Sequence, residues 1–401
     1  MEDDPTVGRL ARRMQRVKAS AIMELLKATA KGDYISFASG LPDPALFPTA
    51  ALAEIAEDVL VHDGKAALQY GPAEGYLPLR EWVAENLRKR GLSDATPEHI
   101  LITQGSQQAL DLVARAFIEP GAPVLLETPT YLAALQTFDS YEADYLIAPI
   151  DDEGMDVQQA AARIASRRPQ LIFTLPNFQN PTGITQSLAR RQQLAELAAE
   201  QGVALLEDDA YYDLRYEGEA LPPVAALASN PLALYTGTFS KIISPGLRVG
   251  YVYAHPALIA RLVQLKQITD LHTGSFTQRL VFQFCRRGLL HDQIARIQAT
   301  YRSRRNALLD ALESSLSHIA TWTRPAGGMF LLVSLPTGMD AAGLLPDVMR
   351  RGVVYVPAAA FHPDGGGAHK LRLNFVSANE EAIRRGVLIL ADALLAAQEK
   401  S

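Results

Sequence analysis

The sequence predicts an α/β fold, a mostly parallel sheet with helices on both faces, joined to a smaller α+β domain. Two observations predict it. Short apolar runs without polar interruption alternate with helical segments from about Ile100 to Ala254, the pattern of strands buried on both faces of a parallel sheet. After about Leu280 the order changes to a long helical region, clustered strand-like runs and a last helix, which marks a second domain. A chain of 401 residues also exceeds what one simple core organises.

The elements follow in order. A helical piece at residues 20–27 precedes the extended, Pro- and Gly-rich "FASGLPDPALFP". "HILITQG" gives a strand at Ile100–Thr103, and the following "QQALDLVARAF" sets Ala109, Leu110, Val113, Ala114 and Phe117 on one helical face. "APVLLE" and "PQLIFTL" are the next strands. "LARRQQLAELAAEQ" is a helix stopped at Gly202. "VALLE", "LALYT" and "LRVGYVYA" complete the strands of the large domain. Residues 277–315 read as one long helical region, "GGMFLLVSL", "GVVYVP" and "KLRLNFV" as strands, and residues 380–399 as the final helix. The expected division is an arm with part of the small domain at 1–48, a large domain at 49–285 and a small one at 286–401.

Composition excludes several functions. The net charge of −6, from 38 basic and 44 acidic residues, provides no general attraction for nucleic acid or an acidic membrane. One cysteine, Cys285, rules out an intrachain disulfide and reads as a small core residue in a reducing, cytoplasmic setting. The charged first residues lack the apolar core of a signal peptide, and no apolar run approaches the roughly 20 residues of a membrane span. Phosphate-loop, nucleophile-elbow, His-Glu-x-x-His and dinucleotide-binding motifs are missing, and the scattered histidines suggest no metal site.

Five polar motifs fall at the C-terminal ends of the predicted strands, the edge where open α/β sheets bind ligands. They are Gly105-Ser106-Gln107 and residues 128–131, 177–183, 207–211 and 236–241. In a buried cleft Lys241 would lose its proton to desolvation and to cations such as Arg248, leaving an amine able to form a Schiff base with an aldehyde. Thr238, Ser240 and Arg248 suit a phosphate, and the N–H groups at Gly105, Ser106 and Gln107 supply a second contact. A phosphorylated aldehyde held by lysine points to pyridoxal 5′-phosphate. Asp208 is then the partner of its ring nitrogen, Tyr211 and Asn180 bond its phenolic oxygen, and Tyr131 stacks on the ring.

These motifs are similar to those of the fold-type I pyridoxal-phosphate aminotransferases, in the branch of 2-aminoadipate and kynurenine aminotransferases. The resemblance rests on the order and spacing of "SFASGLPDPALFP", "LQYGPAEGY", "ITQGSQQALDL", "QNPTG", "EDDAYY", "GTFSKIISPGLRVGY", "GGMF" and "LRLNF". It implies a mostly parallel seven-stranded sheet in the large, cofactor-binding domain. It makes Lys241 the covalent anchor and proton carrier, and Arg372 the partner of the substrate α-carboxylate with help from Asn180. Thr238 stands where many relatives carry serine. Tyr70 would reach the phosphate of a neighbouring subunit, which implies a homodimer with shared sites. Gly40, Leu41 and Met23 fall on the substrate side, and "GGMF" is read as a tight turn without chemistry.

The implied reaction moves the amino group of an L-amino acid to a 2-oxo acid such as 2-oxoglutarate in a ping-pong cycle. Met23 and Leu41 suggest apolar or aromatic donors over 2-aminoadipate. Met23 packing the arm helix is the plainer reading, and Arg12, Arg13, Arg16 or Lys18 could reverse the preference. A lyase or decarboxylase on the same scaffold stays open. A regulator with an aminotransferase-like domain needs a further DNA-binding segment of about 60 residues before the "ISFASGLP" motif, where about 30 stand here.

Overall fold

The computed structural model describes residues 9–17, 24–25, 27 and 32–398. In chain order the strands are β1 (Ile35–Ser36), β2 (Ile100–Thr103), β3 (Pro123–Thr128), β4 (Asp144–Asp151), β5 (Gly154–Met155), β6 (Leu171–Thr174), β7 (Ala204–Asp208), β8 (Ala233–Thr238) and β9 (Gly250–Ala254). The later ones are β10 (Thr321–Trp322), β11 (Phe330–Ser334), β12 (Val353–Val354), β13 (Val356–Pro357) and β14 (Lys370–Asn374).

The central sheet runs β2-β9-β8-β7-β6-β3-β4-β5. From β8 to β4 neighbouring strands are parallel, and β9 runs against both β2 and β8. The expected seven strands are therefore joined by an eighth, the two-residue β5, which pairs antiparallel with the end of β4. Two residues between turn signals carry no periodicity, so the sequence did not show it.

Strand alternation explains why the apolar runs are unbroken. Val124, Leu126, Leu171, Phe173, Ala204, Leu206 and Leu234 pack on one face with the helices Gly105–Phe117, Leu132–Asp139 and Pro256–Asp270. Leu125, Ile172 and Leu205 point the other way, onto the helices Val157–Ser166 and Leu188–Glu200. Successive side chains on a strand face opposite sides, so a sheet covered on both faces needs apolar residues at every position.

The region expected as one helix at 277–315 is two, Ser275–Arg286 and Leu289–Leu316, separated at Gly288 with φ +77°. That left-handed backbone ends the first helix. "GVVYVP" divides into β12 and β13. β12 pairs in parallel with β1, so the N-terminal segment is held by the C-terminal part of the chain. The antiparallel sheet β10-β11-β14-β13 carries Arg372 on β14, opposite Leu332 and Val356. No described helix is long and apolar enough to cross a membrane.

One fully buried cation ties the loops behind the sheet edge. Arg191 donates from Nε to the carbonyl of Gln186, from Nη1 to that of Pro222, and from Nη2 to the Pro176 carbonyl and Asn177 Oδ1, at 2.7–3.0 Å. Arg191→Leu takes a donor from three buried acceptors and from the part-buried Pro222 carbonyl, and thermal unfolding should show a loss of about 2 kcal/mol or more; an unchanged melting temperature would contradict the bracing role.

Candidate active site

Lys241 sits in the turn that follows β8. Thr238 Oγ1 and Ser240 Oγ are 2.9 Å apart, and the Ser240 amide donates to Thr238 Oγ1 at 3.1 Å, which folds the chain back at the strand end. The Lys241 amine donates to the carbonyl of Gly40 at 3.2 Å. Burial is the main reason its pKa falls from 10.5 to about 8, and Arg248 and Arg372 push the same way while Asp208 opposes them. A solvated lysine is almost wholly charged at pH 8; this one is about half neutral there.

Asp208 ends β7 and is buried. Burial first, then the neighbouring Asp209, raises its pKa to about 7. Its Oδ1 is buried with no hydrogen-bond partner. Asp209 points elsewhere, as period-two alternation requires. It accepts from Asn177 Nδ2 at 3.0 Å and from the Tyr235 hydroxyl at 2.9 Å. Tyr211 is buried, its hydroxyl pKa raised by burial and by Tyr131 and held down by a hydrogen bond with Asn180. Tyr131 precedes the helix Leu132–Asp139, and burial raises its hydroxyl to about 12.

Glycines bring the remaining groups together. At Gly105, φ is +72° and an added Cβ would stand 2.6 Å from Arg248 Nη2. At Gly250 a Cβ would meet the Ser106 amide nitrogen at 2.8 Å. Both positions must lack a side chain for Arg248 to close over the turn between β2 and the helix Gly105–Phe117. Arg248 Nη2 donates to the Gln104 carbonyl at 2.9 Å. The first amides of this helix have no intrahelical acceptor, so Ser106 and Gln107 join Arg248, Thr238 and Ser240 in a set that can take an anion. Gln107 Nε2 donates to Thr137 Oγ1 at 2.8 Å.

All five motifs meet in one cavity of about 670 Å³. Its lining includes Ser106, Gln107, Tyr131, Asn180, Asp208, Tyr211, Thr238, Ser240, Lys241 and Arg248, and also Gly40, Leu41 and Arg372. Arg372 is buried, donating from Nη1 to Asn180 Oδ1 at 3.0 Å and from Nη2 to the Ala38 carbonyl at 2.9 Å. Burial lowers its pKa to about 10.

Among the described residues, two expected ones are absent from this lining, Gly105, which stands behind Arg248, and Tyr70. Tyr70 is 77% exposed, lies outside the cavity of its own chain, and meets His272 edge-on at 5.7 Å. Met23 lies outside the described residues. Phe330 was passed over in the sequence, where "GGMF" read as a turn. It lines the cavity with its ring centroid 4.1 Å from the Arg372 guanidinium carbon. The run "MFLLVS" is apolar at five successive positions, so nothing in it sets Phe330 apart from core.

The family model described as "Aminotransferase class I and II" matches residues 32–388. A 2-aminoadipate transaminase of Thermus thermophilus is 42% identical, over 94% of each chain. An aromatic-amino-acid aminotransferase of Thermococcus litoralis is 41% identical, over 94% of this chain and 92% of its own. A solved α-aminoadipate aminotransferase of Thermus thermophilus, complexed with N-(5′-phosphopyridoxyl)-L-leucine, superposes with a TM-score of 0.92. Its identity is 39%, covering 99% of this chain and all of that one.

In the ligand-free chain, competitive labelling of Lys241 by an amine-selective reagent, read by mass spectrometry, should titrate with a midpoint near 8. Asp208→Asn removes the anion that favours the charged amine and should move the midpoint lower. A midpoint at the ordinary lysine value would overturn this electrostatic account.

Proposed function

The chain belongs to the class I and II aminotransferases, and from that premise we propose that its amino donors are apolar or aromatic L-amino acids, handled by Lys241, Asp208 and Arg372. The protein transfers an amino group between an amino acid and a 2-oxo acid with pyridoxal 5′-phosphate as cofactor. The lyase, decarboxylase and regulator alternatives are not favoured by relatives named as transaminases.

The residues present fit this cofactor. The buried, unpartnered Asp208 Oδ1 suits a protonated ring nitrogen, and the cradle that a Gly105 side chain would fill suits a phosphate. When bound, the cofactor supplies an aldehyde carbon and an electron-accepting ring. Asp208 keeps the ring nitrogen protonated, Asn180 and Tyr211 hold the phenolic oxygen, and Tyr131 covers one ring face. Gly105, Ser106, Gln107, Thr238, Ser240 and Arg248 hold the phosphate. Lys241 Nζ would hold the aldehyde until a substrate amine displaces it, and the freed amine would then take the substrate α-proton and deliver it to the former aldehyde carbon. Arg372 orients the substrate by its α-carboxylate, with Asn180 bracing the guanidinium.

The observation that carries the donor preference is the charge of the cavity wall. Its cations among the described residues are Lys241, Arg248 and Arg372, each already given a partner in this reading. Leu41, Leu132, Ala133, Leu175, Ala210 and Phe330 make up its apolar part. In the arm, Arg12 pairs with Glu142 at 2.9 Å and Arg16 donates to the Ala143 carbonyl at 2.9 Å. Among the described residues, the cavity wall offers a side-chain carboxylate no cation beyond these three.

The proposal includes a homodimer in which Tyr70 completes the partner's phosphate site. It is supported by the exposure of Tyr70 and of Leu68, Ile268 and Leu271, which flank the Tyr70–His272 contact in sequence. The single buried Cys285 supports a cytoplasmic setting. The domain division at 48/49 and 285/286 stays part of this reading, with the helix break at Gly288 supporting the second boundary.

Steady-state turnover should favour leucine and phenylalanine over 2-aminoadipate and glutamate by about tenfold or more in kcat/KM; the reverse order would sink the donor assignment. Mixing refolded Tyr70→Ala and Lys241→Ala subunits should restore about a quarter of wild-type activity, because half of the dimers are mixed and each has one intact shared site. No recovery would place Tyr70 in its own subunit's site or in none.

A further inference from the structure

We propose that Phe330 is the positioning residue for the substrate-carboxylate arginine, fixing Arg372 relative to Tyr211 and to the backbone that carries Gly40. The inference rests on the reading of Arg372 as the carboxylate anchor and adds a residue to which the aminotransferase assignment gives no role.

The sheet register creates the contact. β11 and β14 are antiparallel, with Leu332 opposite Arg372 and Phe330 opposite Asn374. Phe330 and Arg372 are therefore diagonal neighbours on one face, within reach of an aromatic ring. The guanidinium carbon lies 4.1 Å from the Phe330 centroid and 5.1 Å from that of Phe361. Its hydrogen bonds use Nη1 and Nη2, and Nε has no partner. Among the described residues no carboxylate is one of its hydrogen-bond partners, so aromatic faces stabilise the buried cation beside two neutral oxygens.

Phe330 also touches the other parts of the site. Tyr211 meets it edge-on, centroids 6.2 Å apart at 85°. A Cβ built on Gly40 would lie 3.7 Å from Phe330 Cζ, and the Gly40 carbonyl accepts from Lys241. A Cβ on Gly183, where φ is +74°, would lie 2.5 Å from the Phe330 carbonyl oxygen, so the loop bearing Asn180 is pressed against the same residue. One ring thus sets the distances between the carboxylate anchor, the phenolic tyrosine and the backbone partner of the lysine. Both half-reactions bind an α-carboxylate at Arg372, so a loosened guanidinium weakens amino donor and oxo-acid acceptor together.

The test uses Phe330→Met, which keeps bulk and removes the π face, with Phe330→Leu as a second variant and Leu332→Ala as a control. Leu332 packs beside Arg372 on the same face without a ring. Binding of hydrocinnamate, a substrate-shaped carboxylate without an amino group, is measured on the holoenzyme by calorimetry, beside KM and kcat for both substrates. The expected result for Phe330→Met is about tenfold weaker hydrocinnamate binding and a similar rise in both KM values. Cofactor affinity should match that of the wild type, and Leu332→Ala, although it loses more stability through its buried cavity, keeps wild-type hydrocinnamate affinity. Wild-type hydrocinnamate affinity in Phe330→Met, with Arg372→Ala losing it, would overturn this inference alone. Retained affinity in Arg372→Ala would overturn the anchor reading beneath it.

Discussion

Three ionisable groups, the half-buried Lys241 and the buried Asp208 and Arg372, share one cavity without being paired to one another. The lysine donates to a carbonyl, the arginine to a carbonyl and a neutral amide, and one oxygen of the aspartate has no partner. Direct pairing would quench them, because an ammonium against a carboxylate stays charged and an occupied guanidinium cannot take a substrate. Held apart, each keeps unused bonding capacity, and burial moves the lysine and the aspartate to about 8 and about 7. The rest of the structure serves to keep this arrangement from collapsing.

The scaffold does so with backbone rather than with charge. Strand ends deliver Asp208 and the turn of Lys241 to one edge of the central sheet, and β14 delivers Arg372 from the small sheet. Glycines at 105, 183 and 250 let loops approach to distances at which any Cβ would collide. Behind that edge, Arg191 donates to Asn177, and Asn177 donates to Asp209.

Much of this was legible in the sequence. The strand-end motifs were readable because apolar runs buried on both faces stand out, and a polar motif ending each run marks the ligand edge. Asp208 was legible from the strand before it and Tyr211 three residues after it. Phe330 was not legible, since an apolar residue in a continuously apolar strand looks like core. Only the register that sets it diagonally to Arg372 distinguishes it. The two-residue β5 and the helix break at Gly288 escaped for a related reason, that a short edge strand or a single glycine leaves the surrounding periodicity almost unchanged.

The amino-acid sequence by itself determined the fold class, the family resemblance and the identities of the residues that meet in the cavity, because burial patterns and turn chemistry are local and periodic. Tertiary structure decided which of them face one another: that Arg372 lies over the rings of Phe330 and Phe361, that Lys241 rests on Gly40, and that Tyr70 stands outside its own cavity. These are contacts across far-separated segments. They depend on strand register and loop approach, and a displacement of one residue in either would leave the composition of every motif intact while removing the site.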